Sequence, residues 1–312
     1  MPWDNRTKRR FKIRDLDVLM AVVEAGGIGK AAGRLGVSQP AVSKSIADLE
    51  DMFGVRLLER SRQGVTATPY AIALIKRGTA IFDELRQGFQ DIDFLADPSA
   101  GEVRIGATEP LSVAVVAPAI NQLSRQFRRI RFRVSVGDAA TLYRGLVDRH
   151  FEVVLSRMIK PVPDEFDVET LFEDTLIVVT GARNPLTRRR KLALSDLANE
   201  PWATFPFDSL FGSLVENVFR VRGLNPPEPT VTSLSPYLLH ELRATGHFVS
   251  IIPRFWLELP PKHPSIAALP ISLPETRMPV DIITLKNRML SPRVKLFLDR
   301  VRLIVEPLTK LK

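Results

Sequence analysis

The stretch Ser38–Gly54, SQPAVSKSIADLEDMFG, leaves little choice of conformation. Ser38 is suited to cap a helix, accepting a backbone N–H with its hydroxyl, and Pro40 falls in the first turn, where a missing N–H costs nothing. Val42, Ile46, Leu49 and Phe53 recur at helical spacing and form one apolar stripe. Gln39, Ser43 and Lys44 fall off that stripe near the N-terminal end. Gly54 closes the helix, as a residue free to take positive φ does. The spacing therefore predicts a helix with one packing face and a short polar edge suited to the major groove of DNA.

The flanks extend this reading. Ile13 to Ala25 carries Leu16, Leu19, Met20 and Val23 at helical spacing and is broken by Gly26-Gly27. Lys30 to Leu35 predicts a short second helix that ends at Gly36 and carries Arg34. Helix, short helix, tight turn and longer helix is the helix-turn-helix arrangement, whose second member enters the major groove. Leu57 to Thr68 has apolar runs on both sides of Arg62-Gln63-Gly64, which predicts a two-stranded wing. Arg60 and Arg62 would there meet phosphate, which positions a protein without reading sequence.

These residues resemble the DNA-binding domain of LysR-type transcriptional regulators. Ala31-Ala32, Leu35, Ser38-Gln-Pro-Ala-Val-Ser43, Ile46, Leu49-Glu50, Gly54, Leu57-Leu58, Arg60, Gly64-Val65 and Thr68 all stand in that family's pattern. Gly27-Ile28-Gly29 departs from it where a Ser or Thr pair usually opens the second helix, and Pro69-Tyr70-Ala71 departs where Ala-Gly is commoner. The resemblance implies a promoter or operator as double-stranded DNA partner, RNA polymerase as a further partner, and a homodimer or homotetramer.

Length and composition set the outer bounds. At 312 residues the chain exceeds one typical domain. It has no cysteine, which excludes a disulfide framework and a thiolate metal site and fits a reducing compartment. The N-terminus is too polar for a signal-peptide core and no apolar run reaches membrane-spanning length, so a cytoplasmic protein with no membrane partner is expected. The net charge of +9 is weak evidence for a nucleic-acid partner, because residues 1–68 carry +4 and residues 96–312 carry +6. The local cluster between Arg6 and Arg14 is more telling: it could add salt-dependent phosphate contacts, or be only a solvated tail.

Thr68 as cap and Pro69 at the first helical position open a helix predicted to run to about Leu95. Ile75, Phe82 and Phe89 recur every seven residues, with Leu85 and Ile92 three after the last two and Gly78 in the corresponding earlier place. This is a short, imperfect heptad seam, which suits either a linker helix that pairs with a second copy or a helix packed on its own domain. Asp97-Pro-Ser-Ala-Gly101 marks a break.

From Gly101 strands and helices alternate, which predicts an α/β fold with parallel strands. Predicted strands are Val103–Ala107, Arg131–Val136, Phe151–Leu155, Asp174–Thr180, Trp202–Phe205, Thr230–Ser233, Phe248–Ile252 and Val280–Leu285. Predicted helices are Pro110–Phe127, Ala139–Asp148, Ser209–Arg222, Ser235–Ala244 and Pro292–Val305. By resemblance this half is the family's effector domain, two-lobed and similar to periplasmic binding proteins. The expected organisation is α/β with an all-α-type winged helix-turn-helix domain over 1–68, a linker helix over 69–97 and an effector-binding domain over 98–312. Lobe I is expected at about 101–168 and 270–312, and lobe II at about 169–269, with crossovers near Phe166–Phe172 and Leu269–Arg277.

Ligands in such sheets bind beyond the carboxyl ends of strands, where helix N-termini present free N–H groups. That rule selects Thr108 and Glu109, Gly137 and Asp138, Ser209, and Thr232 as candidates for a small-molecule effector. By resemblance Thr108 stands where the family places a ligand-binding Ser or Thr, with Ser209 and Thr232 as second-lobe counterparts. Helix capping explains each of them equally well. Two acids near one cleft mouth would repel an anion unless they face away, which leaves a sugar, an amine or an amphoteric molecule open.

No catalytic constellation is legible. His150, His240, His247 and His263 lack HExxH spacing, and there is no P-loop, no G-x-S-x-G and no dinucleotide-binding fingerprint. No cofactor or metal is expected. A solute-binding transport component would share the second half but needs export, and an α/β enzyme carrying a helix-turn-helix would need a nucleophile and base. The expected function is a LysR-type, sequence-specific transcriptional regulator controlled by an effector bound between two lobes.

Overall fold

The computed structural model describes residues 11–61, 64–158, 161–260 and 263–309, and for Arg60, Ser61 and Leu210 the backbone alone. The chain forms two compact units, one ending at Phe89 and the other beginning at Gln90. The first contains α1 (Ile13–Ala25), α2 (Ile28–Leu35), α3 (Gln39–Phe53), β1 (Leu58–Ser61), β2 (Gly64–Ala67) and the start of α4 (Pro69–Ala96). Leu19, Val22, Ala31, Val42, Ile46, Leu49 and Leu57 are buried in one core. The small pair Ala31-Ala32 lies within it, letting α2 sit against its neighbours. Gly78 of α4 would place a Cβ 2.9 Å from the Leu16 side chain, so its missing side chain is what lets α4 lie against α1.

Two details differ from the sequence reading here. The second helix begins at Ile28 rather than Lys30, and its cap residue Gly27 supplies no side-chain bond. Ile28, the first residue of the helix, is buried in the core. The buried stripe of α3 is Val42, Ile46, Leu49 and Met52, with Phe53 half-buried against the ring of Phe11.

The second unit has two lobes. In lobe I, β3 (Ala100–Ala107), β4 (Arg129–Val136), β5 (Val153–Ser156), β6 (Phe166–Asp174) and β12 (Met278–Leu285) form a sheet in the order β4-β3-β5-β12-β6. Its central strands are apolar on both faces, as strands covered on both sides must be. Val153 and Leu155 enter a core shared with α5 (residues 109–126) and with α10 (Pro292–Thr309), whereas Val154 and Ile283 enter a second core with α6 (Ala139–Val147). Helix α5 comprises Glu109–Leu111, a π-helical stretch Ser112–Val116 and Ala117–Gln126. The sequence predicts one regular helix here. Pro118 lacks an N–H and its ring crowds the carbonyl of Ala114, and the backbone widens immediately before it.

Lobe II holds β7 (Leu176–Gly181), β8 (Ala203–Thr204), α7 (Leu210–Val221), β9 (Val231–Thr232), α8 (Pro236–Ala244), β10 (Ser250–Pro253), α9 (Phe255–Glu258) and β11 (Ile266–Ala268). The expectation of parallel strands throughout fails in this lobe. Strand β7 pairs antiparallel with both β10 and β11, and β12 pairs antiparallel with β5 and β6 in lobe I. Parallel pairing holds for β3 with β4 and β5, and for β8 with β9. The expected crossover at Phe166–Phe172 is instead β6, the edge strand of lobe I. The first crossing therefore falls at Thr175, while Leu269, Ile271 and Leu273 of the returning segment pack in the lobe II core. Alternation of Phe166, Val168 and Thr170 with Asp167 and Glu169 is the pattern of a strand open to solvent on one side. Among the described residues no helix is long and apolar enough to cross a membrane.

Gly101 carries a φ of +135°, and a Cβ there would land on the buried side chain of Arg293. Replacing Gly101 with Ala is expected to destabilise the second unit by about 2–4 kcal/mol, combining backbone strain with displacement of a packed side chain, as read by urea unfolding.

Candidate functional site

Helix α3 is held so that its N-terminal edge is free. The Ser38 hydroxyl accepts the Ala41 N–H at 3.4 Å, which fixes the start of the helix, and Gly54 takes a left-handed conformation at its end. Gln39, Pro40 and Lys44 are exposed and Ser43 is half-buried, while Val42 and Ile46 on the other side are buried. Three polar contacts fix the frame. Ser45 donates to Asp15 of α1 at 2.7 Å. Glu50 accepts the backbone N–H groups of Leu57 at 2.7 Å and Leu58 at 3.2 Å, tying α3 to the root of the wing. The N–H of Val65 on β2 donates to the carbonyl of Gly26 after α1. Sequence reasoning gave none of these residues a bracing role, since the Ser45 and Val65 bonds join segments distant in sequence and the Glu50 bonds depend on how the chain turns after α3.

Strands β1 and β2 pair antiparallel, with Ser61 opposite Gly64. Arg62 and Gln63, together with the basic residues 6–10, lie outside the described residues, and of Arg60 only the backbone is described. Arg34 is exposed and bonded to Glu24 at 2.6 Å, so its charge is partly matched within the protein. Thr68 caps α4 as its position suggests, accepting from Ala71 at 3.3 Å and donating to the Arg56 carbonyl at 2.9 Å.

In lobe I the strand register places Ala107, Val136 and Leu155 side by side on parallel strands. The next residues, Thr108, Gly137 and Ser156, therefore emerge along one edge of the sheet. Thr108 stands at the cap position of α5 but makes no side-chain cap bond, and Glu109 begins the helix half-buried. Asp138 is different, because its carboxylate accepts the Thr141 N–H at 2.7 Å and caps α6. That bond holds the Asp138 carboxyl below its ordinary 3.8. The cap thus contributes fully above about pH 4 and is lost as pH falls through the lowered folded value.

In lobe II, Thr204 and Thr232 are register partners on β8 and β9. Thr232 is exposed, whereas the Ser209 hydroxyl is already engaged: it accepts from Gly212 at 3.1 Å and donates to the Pro206 carbonyl at 2.6 Å. Two residues that sequence reasoning passed over sit at the same strand ends. Ser156 and Thr204 are the last residues of β5 and β8, both are buried, and neither hydroxyl has a hydrogen-bond partner among the described residues. The strand-end rule selects them once the strand limits are placed at Ser156 and Thr204 rather than at Leu155 and Phe205.

The two crossings between the lobes lie side by side. Asp174 ends β6 opposite Met278, which opens β12, and the Leu176 N–H donates to the Thr276 hydroxyl at 2.8 Å. Arg157 reaches both crossings, donating to Asp174 at 2.5 Å and to the Met278 carbonyl at 3.3 Å. The other oxygen of Asp174 accepts the N–H of Phe255 in lobe II at 3.1 Å. Burial pushes the Asp174 carboxyl up and the Arg157 guanidinium down, each only partly offset by attraction to the other.

A free-edged helix-turn-helix with a wing, followed by a two-lobed α/β domain, defines a ligand-responsive DNA-binding regulator. Residues 96–303 match the LysR substrate binding domain family, and residues 13–72 match the bacterial regulatory helix-turn-helix protein, lysR family. The chain belongs to the LysR family of transcriptional regulators. It is 30% identical over 301 residues to HTH-type transcriptional regulator GbpR of Azospirillum brasilense, covering 95% of this chain and 87% of that protein. Its fold is similar to that of full-length CbnR complexed with target DNA, with TM-score 0.53, 22% identity and coverage of 94% and 99%. It is likewise similar to a cysteine-to-aspartate variant of full-length OxyR from Pseudomonas aeruginosa, with TM-score 0.65, 22% identity and coverage of 94% and 98%. Regulators of this family are not, as a class, enzymes.

Replacing Asp174 with Asn strands the buried Arg157 guanidinium and is expected to cost about 3 kcal/mol in urea unfolding. The double variant Arg157→Met with Asp174→Asn removes both charges and is expected to recover most of that loss.

Proposed function

We propose that the N-terminal edge of α3 reads an operator in the major groove. Gln39 would make a bidentate contact with adenine, Lys44 would contact guanine or phosphate, and Ser38, Pro40 and Ser43 would complete the edge. Arg34, Arg60 and Arg62 contact phosphate in this reading, setting register without reading sequence. The observation that carries it is the division of α3 into a buried stripe and an exposed polar edge beside a capped N-terminus. The protein acts on DNA in the cytoplasm, performs no catalysis, and contacts RNA polymerase at the promoter.

Helix α4 supplies the pairing surface. Along it Ile81, Leu85, Phe89, Ile92 and Leu95 are exposed, Phe89 at 69% and Leu95 at 83%, a stripe too apolar to face solvent along its length. A second copy covers it, giving a homodimer and, by further pairing, a homotetramer that presents recognition helices to successive half-sites. A small-molecule effector binds where the strand ends of the two lobes converge, using Thr108, Glu109 and Gly137 in lobe I with Thr232 in lobe II. Asp138 and Ser209 serve this site through their helix caps. Thr108 is favoured as a direct contact because its hydroxyl is not spent on capping. Effector binding changes the relation of the lobes, and the spacing of the recognition helices on bent DNA follows.

Gel-shift titration against the DNA beside the gene tests the reading edge. Gln39→Ala is expected to lower discrimination between operator and random DNA by about 1–3 kcal/mol, and Lys44→Ala to reduce the salt slope by about one unit if it meets phosphate. Unchanged discrimination in Gln39→Ala would remove base reading from that residue. Phe89→Glu with Ile92→Glu is expected to yield a monomer in analytical ultracentrifugation, with operator affinity reduced accordingly; an intact oligomer would assign pairing to another surface.

A further inference from the structure

Arg243 of α8 is 1% exposed, and its surroundings set it apart from the other buried arginines. Arg104 lies beside Glu152, Arg288 donates to the Phe151 carbonyl and Arg293 to the carbonyls of Ala100 and Gln90, while the half-buried Arg157 is bonded to Asp174. Arg243 has one long bond, 3.4 Å to the Ser250 hydroxyl, and the face of Trp256 at 5.1 Å. Its Nε has no partner among the described residues. Burial alone pulls the guanidinium down to about 10, with no carboxylate acting on it.

Trp256, under Arg243, is one of three rings that cluster together. The centroids of His240 and Trp256 are 5.5 Å apart, those of His240 and His263 5.0 Å, and those of Trp256 and His263 5.3 Å. His240 Nδ1, His263 Nε2 and Trp256 Nε1 are all buried and lack partners among the described residues. Four buried nitrogens in one cluster without partners among the described residues is an arrangement proteins avoid unless something satisfies it. Desolvation first, and then the Arg243 charge, holds both imidazoles below 6.5, so at neutral pH each ring is uncharged and offers one N–H. Glu241 reaches His240 only as the weakest of the influences on it.

We propose that Arg243, Trp256, His240 and His263 form a receptor for a small organic carboxylate inside lobe II, assembled by α8, α9 and the segment leading into β11. The Nε–H of Arg243 and the Nε1–H of Trp256 supply the two donors a carboxylate takes, and its charge compensates the guanidinium. The rings accommodate an apolar body. A divalent cation on the two imidazoles is opposed by the Arg243 charge. None of these residues belongs to the set proposed for the cleft, so variants in the two places separate the two readings.

The test uses the full chain with sodium acetate and sodium benzoate against sodium chloride at equal ionic strength. Thermal unfolding, calorimetric titration and the 15N-indole resonance of Trp256 are read, that resonance being distinguished from those of Trp3 and Trp202 by Trp256→Phe. The carboxylates are expected to raise the melting temperature and shift the resonance. Arg243→Met is expected to abolish both responses and, in chloride, to be at least as stable as the parent. Trp256→Phe keeps a ring but loses a donor, and its carboxylate affinity is expected to fall about tenfold. The proposal is overturned if carboxylate and chloride act alike, if Arg243→Met responds like the parent, or if zinc chloride shifts the indole where acetate does not. Should Arg243→Met not fold, the Trp256→Phe titration decides: unchanged affinity overturns the site and the tenfold loss supports it.

Discussion

Burial of one side of α3 is the constraint on which the DNA-binding unit depends. Val42, Ile46 and Leu49 are almost wholly removed from solvent, and each such side chain stabilises the fold by about 2 kcal/mol relative to exposure. That energy also fixes rotation about the helix axis, because turning α3 by one residue would expose the stripe and bury Gln39 or Lys44 unpaired. Glu50 and Ser45 add direction to a force that has none. Glu50 takes up two backbone donors at the root of the wing, and Ser45 joins α3 to Asp15, so the helix cannot slide along its axis without losing bonds. The free polar edge follows from what is packed behind it.

In the second unit the corresponding constraint is the pinch at the crossings. The lobes are joined where Asp174 and Met278 pair, and Arg157 holds both strands while Asp174 reaches Phe255 on the lobe II side. A buried ion pair of this kind contributes little net stability, since desolvation of both partners offsets their attraction. Its value is geometric. It allows the chain to change lobes twice at one place and keeps the crossings from separating, where Phe255 and Leu259 on the lobe II side pack into the lobe I core against Phe172.

The sequence made much of this legible where regular periodicity governs. Helix α1 spans Ile13–Ala25 as its apolar spacing predicts, and α3 has the cap and the close that Ser38 and Gly54 foretell. Strand limits were less legible, because β5 and β8 are short and buried, and an apolar run does not mark where pairing stops. Edge strand β6 resembles a linker in sequence because its outward side is charged. The π-helical stretch of α5 follows from Pro118, a signal present in sequence but outweighed by the helical pattern around it. Ser156, Thr204 and Arg243 were least legible, since an unmatched hydroxyl or guanidinium is a property of its surroundings and not of the residue.

Helix α4 crosses the boundary between the compact units, so any influence of the second unit on the first that passes through the chain passes along it. Its far end is gripped by Arg293 of α10. That guanidinium donates to the carbonyls of Gln90 on α4 and Ala100 on β3, and lies over the ring of Phe94. Gly101 has no side chain where Arg293 runs, which is what permits so close an approach. The same arginine therefore ties the first strand of lobe I, its C-terminal helix and the end of α4 into one piece. A ligand can bias such a system only by binding two arrangements with different affinity, and the bonds of Arg293 make the end of α4 part of lobe I.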